Sequence, residues 1–198
     1  MSRRLALALM VLGAATWAAE PAPPAAPVSS RRALVRFHTA CASCHAGECS
    51  GRLSFFSGKG GAKHHIRRYA PTADDLVVKE LFTLLATMKR TCRVELPADT
   101  AAQARWTGEQ LREWFNPDAN AWFIPLGELG PARVTVTLQP GAGAEAARAQ
   151  VLDENLETLA EAPLAGKAVT LRFDQPQKGR CFLLVRLAPT LTSLTVAQ

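Results

Sequence analysis

The apolar positions of this chain change their period once, near Pro131. Upstream they recur every three to four residues, the repeat of a helix with one buried face. Leu34, Phe37, Cys41 and Cys44 share such a face and predict a helix over 33–46. A second stripe, Leu81, Leu85, Met88 and Cys92, predicts another. Thr72 is its expected N-cap, with Asp74 and Asp75 in the first turn and Lys89, Arg90 and Arg93 at the end, charges that suit the helix dipole. A third helix is expected from Thr107-Gly108-Glu109-Gln110, a capping box, with Leu111, Trp114 and Phe115 as its apolar face and Asn116-Pro117 as its stop. Gly47 to Gly61 reads as a loop that holds Phe55-Phe56.

Downstream the period becomes two. Val134, Val136 and Leu138 alternate with Arg133, Thr135 and Thr137. Val169, Leu171 and Phe173 repeat the pattern, as do Cys181, Leu183, Val185 and Leu187, and then Leu194 with Val196. Gln139-Pro140-Gly141 and Gln177-Lys178-Gly179 are turn signals. These features predict a small antiparallel β-sandwich over 131–198. The expected class is therefore α+β: an all-α domain over 31–117, a linker over 118–130, then the sandwich. Val151-Leu152-Asp153-Glu154 has the acids of a calcium loop, but acids at turns are ordinarily solvated.

The N-terminus adds a compartment. Ser2-Arg3-Arg4 is a basic start, Leu5 to Leu12 an apolar stretch, and small residues follow at Ala18, Ala19 and Ala22. This is the form of a secretory signal peptide, read here as 1–19. The apolar stretch is short for a bilayer span, so cleavage with no remaining membrane anchor is expected. Residues 20–30 are rich in Pro and Ala and read as a linker. Charge divides unevenly. Residues 31–95 carry 12 Lys/Arg against 5 Asp/Glu, a net of +7, whereas 96–198 carry 9 against 11, a net of −2. No nucleic-acid motif accompanies the basic half, so its cations are expected to hold anionic groups of a ligand or to steer an acidic partner.

The chemistry lies in Cys41-Ala42-Ser43-Cys44-His45. C-x-x-C-H is the spacing of a c-type haem attachment site. Two thiols three positions apart reach the two vinyl groups on one porphyrin edge, and the imidazole that follows sits under the iron. Half a zinc site lacks its second C-x-x-C, and a thioredoxin-like motif lacks its βαβ setting.

On Cys41, Cys44 and His45 the chain resembles the c-type cytochromes, and its three expected helices resemble the class I mono-haem plan. The resemblance implies an all-α haem-binding cytochrome c domain, one covalent haem c, and a bacterial periplasmic or otherwise exported protein. The implied function is an electron carrier or redox subunit with a redox partner protein. An alternative is a haem enzyme or gas sensor with an open distal iron site, and a third is a binding module whose haem is structural. Gly179 to Val185 resembles a penultimate strand of the pre-peptidase C-terminal-type modules of secreted bacterial proteins.

The residues leave the second axial ligand open. Met88 stands between the haem motif and the last expected helix, where class I cytochromes supply a Met, but it lies on an apolar stripe and is followed by Lys89 rather than Pro. His64 and His65 are rivals, preceded by the Gly-rich Gly58 to Gly61. His38 is poorly placed for the opposite face. An open position is the third option. Arg67 and Arg68, adjacent after the motif, are the expected propionate partners. Cys49 and Cys92 are the expected disulfide, because exported proteins pair spare thiols. It would close a loop of roughly 40 residues, contributing about 3–4 kcal/mol. Cys181 reads as a buried apolar residue.

Overall fold

The computed structural model describes residues 30–45, 59–91, 96, 103–144, 147–165, 167–188 and 190–198. The expected signal peptide and the Cys49–Cys92 disulfide lie outside them. The order of elements is α1 (Arg31–Arg36), a π-helical turn (Phe37–Cys41), α2 (Ala42–His45), α3 (Lys59–Tyr69), α4 (Asp75–Thr91), β1 (Arg105–Thr107), α5 (Gly108–Arg112), β2 (Phe115–Asn116), β3 (Ala121–Leu129), β4 (Ala132–Pro140), β5 (Arg148–Leu152), β6 (Thr158–Pro163), β7 (Val169–Gln175), β8 (Gly179–Arg186) and β9 (Leu191–Ala197).

This overturns the expected plan of an all-α haem-binding cytochrome c domain followed by a small β-sandwich. The molecule is mostly two antiparallel sheets, ordered β1-β9-β4-β7 and β2-β3-β8-β5-β6. The described residues contain few helices and no large all-α haem domain. The reason lies between Arg105 and Leu129. The capping box forms, with Thr107 N–H donating to Gln110 Oε1 at 2.8 Å, but the helix it starts ends at Arg112. Phe115 and Asn116 then pair with Trp122 and Ala121 as strands. The stretch 118–130 contains β3, which pairs with β8 along its length.

Burial explains why. Ala121 to Leu126 are all buried, as are Cys181 to Val185. Strands covered on one side only alternate, so two adjacent strands buried without alternation must be covered on both sides. Trp122 faces Val185 and Ile124 faces Leu183 across the ladder. This side looks into the sandwich, where Cys181 Sγ lies 3.7 Å from Gln175 Oε1 on β7 of the other sheet. Phe123 faces Leu184 on the opposite side, and there the N-terminal helical run packs. The His38 ring stacks on Phe123 at 4.2 Å, and Phe123 on Phe182 at 5.1 Å. The register shifts between Pro125 and Gly127, where a φ of 98° admits the bulge and the ladder tolerates the missing proline N–H.

Polar groups fix the seating. Arg36 and Asp118 form an ion pair at 3.3 Å with side chains 4% and 5% exposed. Thr72, expected as an N-cap, instead accepts from Arg36 and donates to Asp118 at 2.9 Å. Asp74 caps α4, accepting from Val77 N–H at 2.8 Å. In the π-turn, Thr39 Oγ1 accepts from Asn116 Nδ2 at 2.8 Å and its carbonyl accepts from Arg186 at 3.3 Å. The helical run before the C-x-x-C-H motif is thus clamped to β2 and β8.

Candidate functional site

Three helical segments frame one apolar cavity of about 540 Å³. The first run contributes Phe37, Ala40, Cys41, Cys44 and His45. α3 contributes Gly61, Ala62, His65, Ile66 and Tyr69, and α4 contributes Leu81, Phe82, Leu85, Ala86 and Lys89. In α3 and α4 the lining residues follow the same spacing, a single helical stripe turned toward the cavity. Both cysteines and the histidine of the motif therefore face one space, whose volume lies in the ordinary range of cofactor sites, about 300–1,000 Å³.

His45 is buried, Cys41 half-buried and Cys44 exposed, so the motif runs from the interior to the rim. Burial and the neighbouring Cys44 push the Cys41 thiol up to about 11. That is the reverse of a redox-active C-x-x-C, whose nucleophilic thiol is lowered at a helix N-terminus. Here both thiols lie toward the C-terminal end of the run. No group of three or more His, Cys, Asp or Glu side chains among the described residues is arranged to hold a bare metal ion. The site has two thiols, the His45 and His65 imidazoles and apolar walls. That donor set fits a large flat cofactor which brings its own metal and two carbon attachment points.

The other expected site residues divide. His65 faces the cavity, with its ring centre 6.0 Å from that of His45 and the planes at 89°. The Tyr69 ring lies 5.1 Å from that of His65. His64, one position away, is outside the cavity lining, and both histidines are exposed. Both sit on a helix, although Gly60 and Gly61 in its first turn had read as loop. Met88 is 5% exposed and belongs to the hydrophobic core, and unlike Leu81 of the same core it does not line the cavity. Arg67 turns to Asp75 at 2.7 Å, which Lys63 also meets at 3.0 Å, and Arg68 is exposed. Neither arginine lines the cavity; the cationic side chain that does is Lys89.

His38 faces away from the cavity, 3% exposed, and its Nδ1 has no hydrogen-bond partner among the described residues. Burial pushes its imidazole down to about 3, so it is neutral across the physiological range. Sequence reasoning missed Lys89, Tyr69 and Phe82 as lining residues. Their signal was the stripe one position C-terminal to the buried one on α4, and the i+4 neighbour of His65 on α3.

Among the described residues no helix is long and apolar enough to cross a membrane. No protein-family model and no curated protein matches the chain. Among solved structures it is similar to a CBM35 from Cellvibrio japonicus Abf62, at 15% identity over 39% of this chain, with a TM-score of 0.26. The chain spans 63% of the length of that structure, and a likeness this weak carries no argument about what this protein does.

Proposed function

We propose that this protein binds one haem c through Cys41 and Cys44, with His45 on the iron, and carries electrons outside the cytoplasm as a soluble carrier or redox subunit. The observation that carries the reading is the convergence of both thiols and the His45 imidazole on one apolar cavity. Cys41 and Cys44 would hold the group by adding their thiols across its two vinyl groups, each forming a carbon–sulfur bond while the thiol hydrogen passes to the other vinyl carbon, with no oxidant consumed. The bound group supplies one-electron exchange at its iron. The rest falls to this chain. The Thr39 and Arg36 clamps hold the run that ends in His45. Phe37, Ile66, Leu81, Phe82 and Leu85 exclude water, which is how a protein tunes the iron's potential by burial. Lys89 offers a cation to the propionates. The β-sandwich acts as the platform against which the attachment helix is held.

Export agrees with the signal-like Ser2 to Ala19 and supplies the compartment in which haem c is attached in bacterial c-type cytochromes. The net +7 of residues 31–95 favours an acidic redox partner. The test is co-expression with a haem-c maturation system, followed by denaturation and extraction with acidified organic solvent. Haem that stays with the polypeptide, and an iron that reduces and reoxidises reversibly, is the expected result. Haem that moves into the organic phase contradicts the proposal.

A further inference from the structure

We infer that His65 is the second axial ligand, so that two imidazoles hold the iron and no coordination position is left for an exogenous molecule. The inference rests on the haem reading above and selects among the ligands the sequence left open. His45 and His65 are the two imidazoles of the cavity lining, carried by helices on different walls. Their ring centres are 6.0 Å apart. A metal–imidazole bond is about 2 Å long, so two rings on opposite sides of one metal have centres roughly 6 Å apart.

Neither competitor is so placed. At 100° per residue, Met88 lies about a quarter-turn of α4 away from the middle of the cavity-facing stripe. It is buried in the hydrophobic core and does not line the cavity. It lies just beyond Leu81, the edge of that stripe. His64 lies more than a third of a turn from the middle of the α3 stripe, by the same geometry, and is outside the cavity lining, although both histidines are exposed. His65 is in addition flanked by residues that suit a ligand. Gly61, one turn earlier, adds no side chain beside the ring. Tyr69, one turn later, packs on it at 5.1 Å and restricts its rotation.

A Met ligand raises the reduction potential, so replacing it by imidazole places the carrier at the lower end of the range. Two side-chain ligands also favour outer-sphere electron transfer over gas binding.

The test uses the full-length, haem-loaded protein and reads ligation directly by near-infrared and electron paramagnetic resonance spectra and by carbon monoxide binding to the reduced form. Expected are a low-spin ferric iron without the weak far-red sulfur-to-iron band, and slow or absent carbon monoxide uptake. His65→Ala should turn the iron high-spin and open it to carbon monoxide, and added imidazole should restore the low-spin spectrum. His65→Met should introduce the sulfur band and raise the potential. Met88→Leu and His64→Ala should leave the wild-type spectra unchanged. A sulfur band in the wild type that Met88→Leu removes, or free carbon monoxide uptake by the wild type, overturns the inference while leaving covalent haem intact. A wild-type protein that retains no haem after acid-solvent extraction overturns the haem reading itself, and this assignment with it.

Discussion

His38 and His45 lie seven residues apart on one helical run and do opposite work. His38 looks into the outer face of the five-stranded sheet, stacked on Phe123 and 3% exposed. His45 looks into the cavity, opposite His65. The sheet-facing side is a packed core with a buried, neutral imidazole used as a flat aromatic surface. The cavity-facing side brings together the groups that could do chemistry. The two imidazoles take different sides of one helical run, whose π-turn (Phe37–Cys41) contains His38 and is pinned through Thr39.

Separating the two sides should produce effects of different kind and size. The largest belongs to the cavity side. Cys41→Ala with Cys44→Ala should abolish covalent haem and lower the thermal midpoint, because the three helices then lose the group they enclose; absorbance after denaturing electrophoresis and a thermal melt check both. On the sheet side, Phe123→Ala should destabilise the fold by about 3–5 kcal/mol, the usual cost of emptying a buried aromatic site. Denaturant titration measures it, and protein that still folds should attach haem as the wild type does. Loss of attachment in folded Phe123→Ala would mean that the two sides are not separable. Asp118→Asn should cost a comparable or smaller amount, up to about 3–5 kcal/mol, by leaving Arg36 charged and buried without its partner.

The last effect is absent at neutral pH and appears as a pH slope. His38 has its folded pKa lowered to about 3 by burial, below the 6.5 of the unfolded chain. Between these values the unfolded chain binds a proton that the folded one refuses. Stability should therefore fall as pH drops below 6.5 and level off near 3, with no contribution above 6.5. His38→Phe keeps the stacked ring, removes an unpaired buried nitrogen and should flatten that part of the acid profile. An unchanged slope in the variant would assign it to other groups.

Much of this was legible in the sequence, and the misses have physical causes. The C-x-x-C-H motif, the alternating strands β4 and β7, and the Thr107–Gln110 box could be read because spacing alone carries them. The strand after residue 120 could not be read by alternation. Ala121 to Leu126 is a continuous apolar run that includes Pro125, and such a run is ambiguous until something is known to cover both faces. In β8 the same clue was present, since Phe182 and Leu184 are as apolar as Cys181, Leu183 and Val185, and a one-sided strand would carry polar residues there. The place of His65 was hidden by Gly60 and Gly61, which weigh against a helix that tertiary packing nonetheless forms. Lys89 sat at a helix end, where a cation is explained by the dipole without reference to any ligand. The sequence thus carried the spacing of Cys41, Cys44 and His45 but not the walls around them, because walls are built from residues distant in the chain.

The central claim is that Cys41 and Cys44 bind haem covalently. Intact-mass spectrometry of the denatured protein, purified after export with a haem-c maturation system, tests it most directly. The account predicts a species heavier than the mature chain by one haem, reduced to the bare chain mass in Cys41→Ala with Cys44→Ala. A wild-type protein that runs only at the bare chain mass, with both thiols open to alkylation, contradicts it.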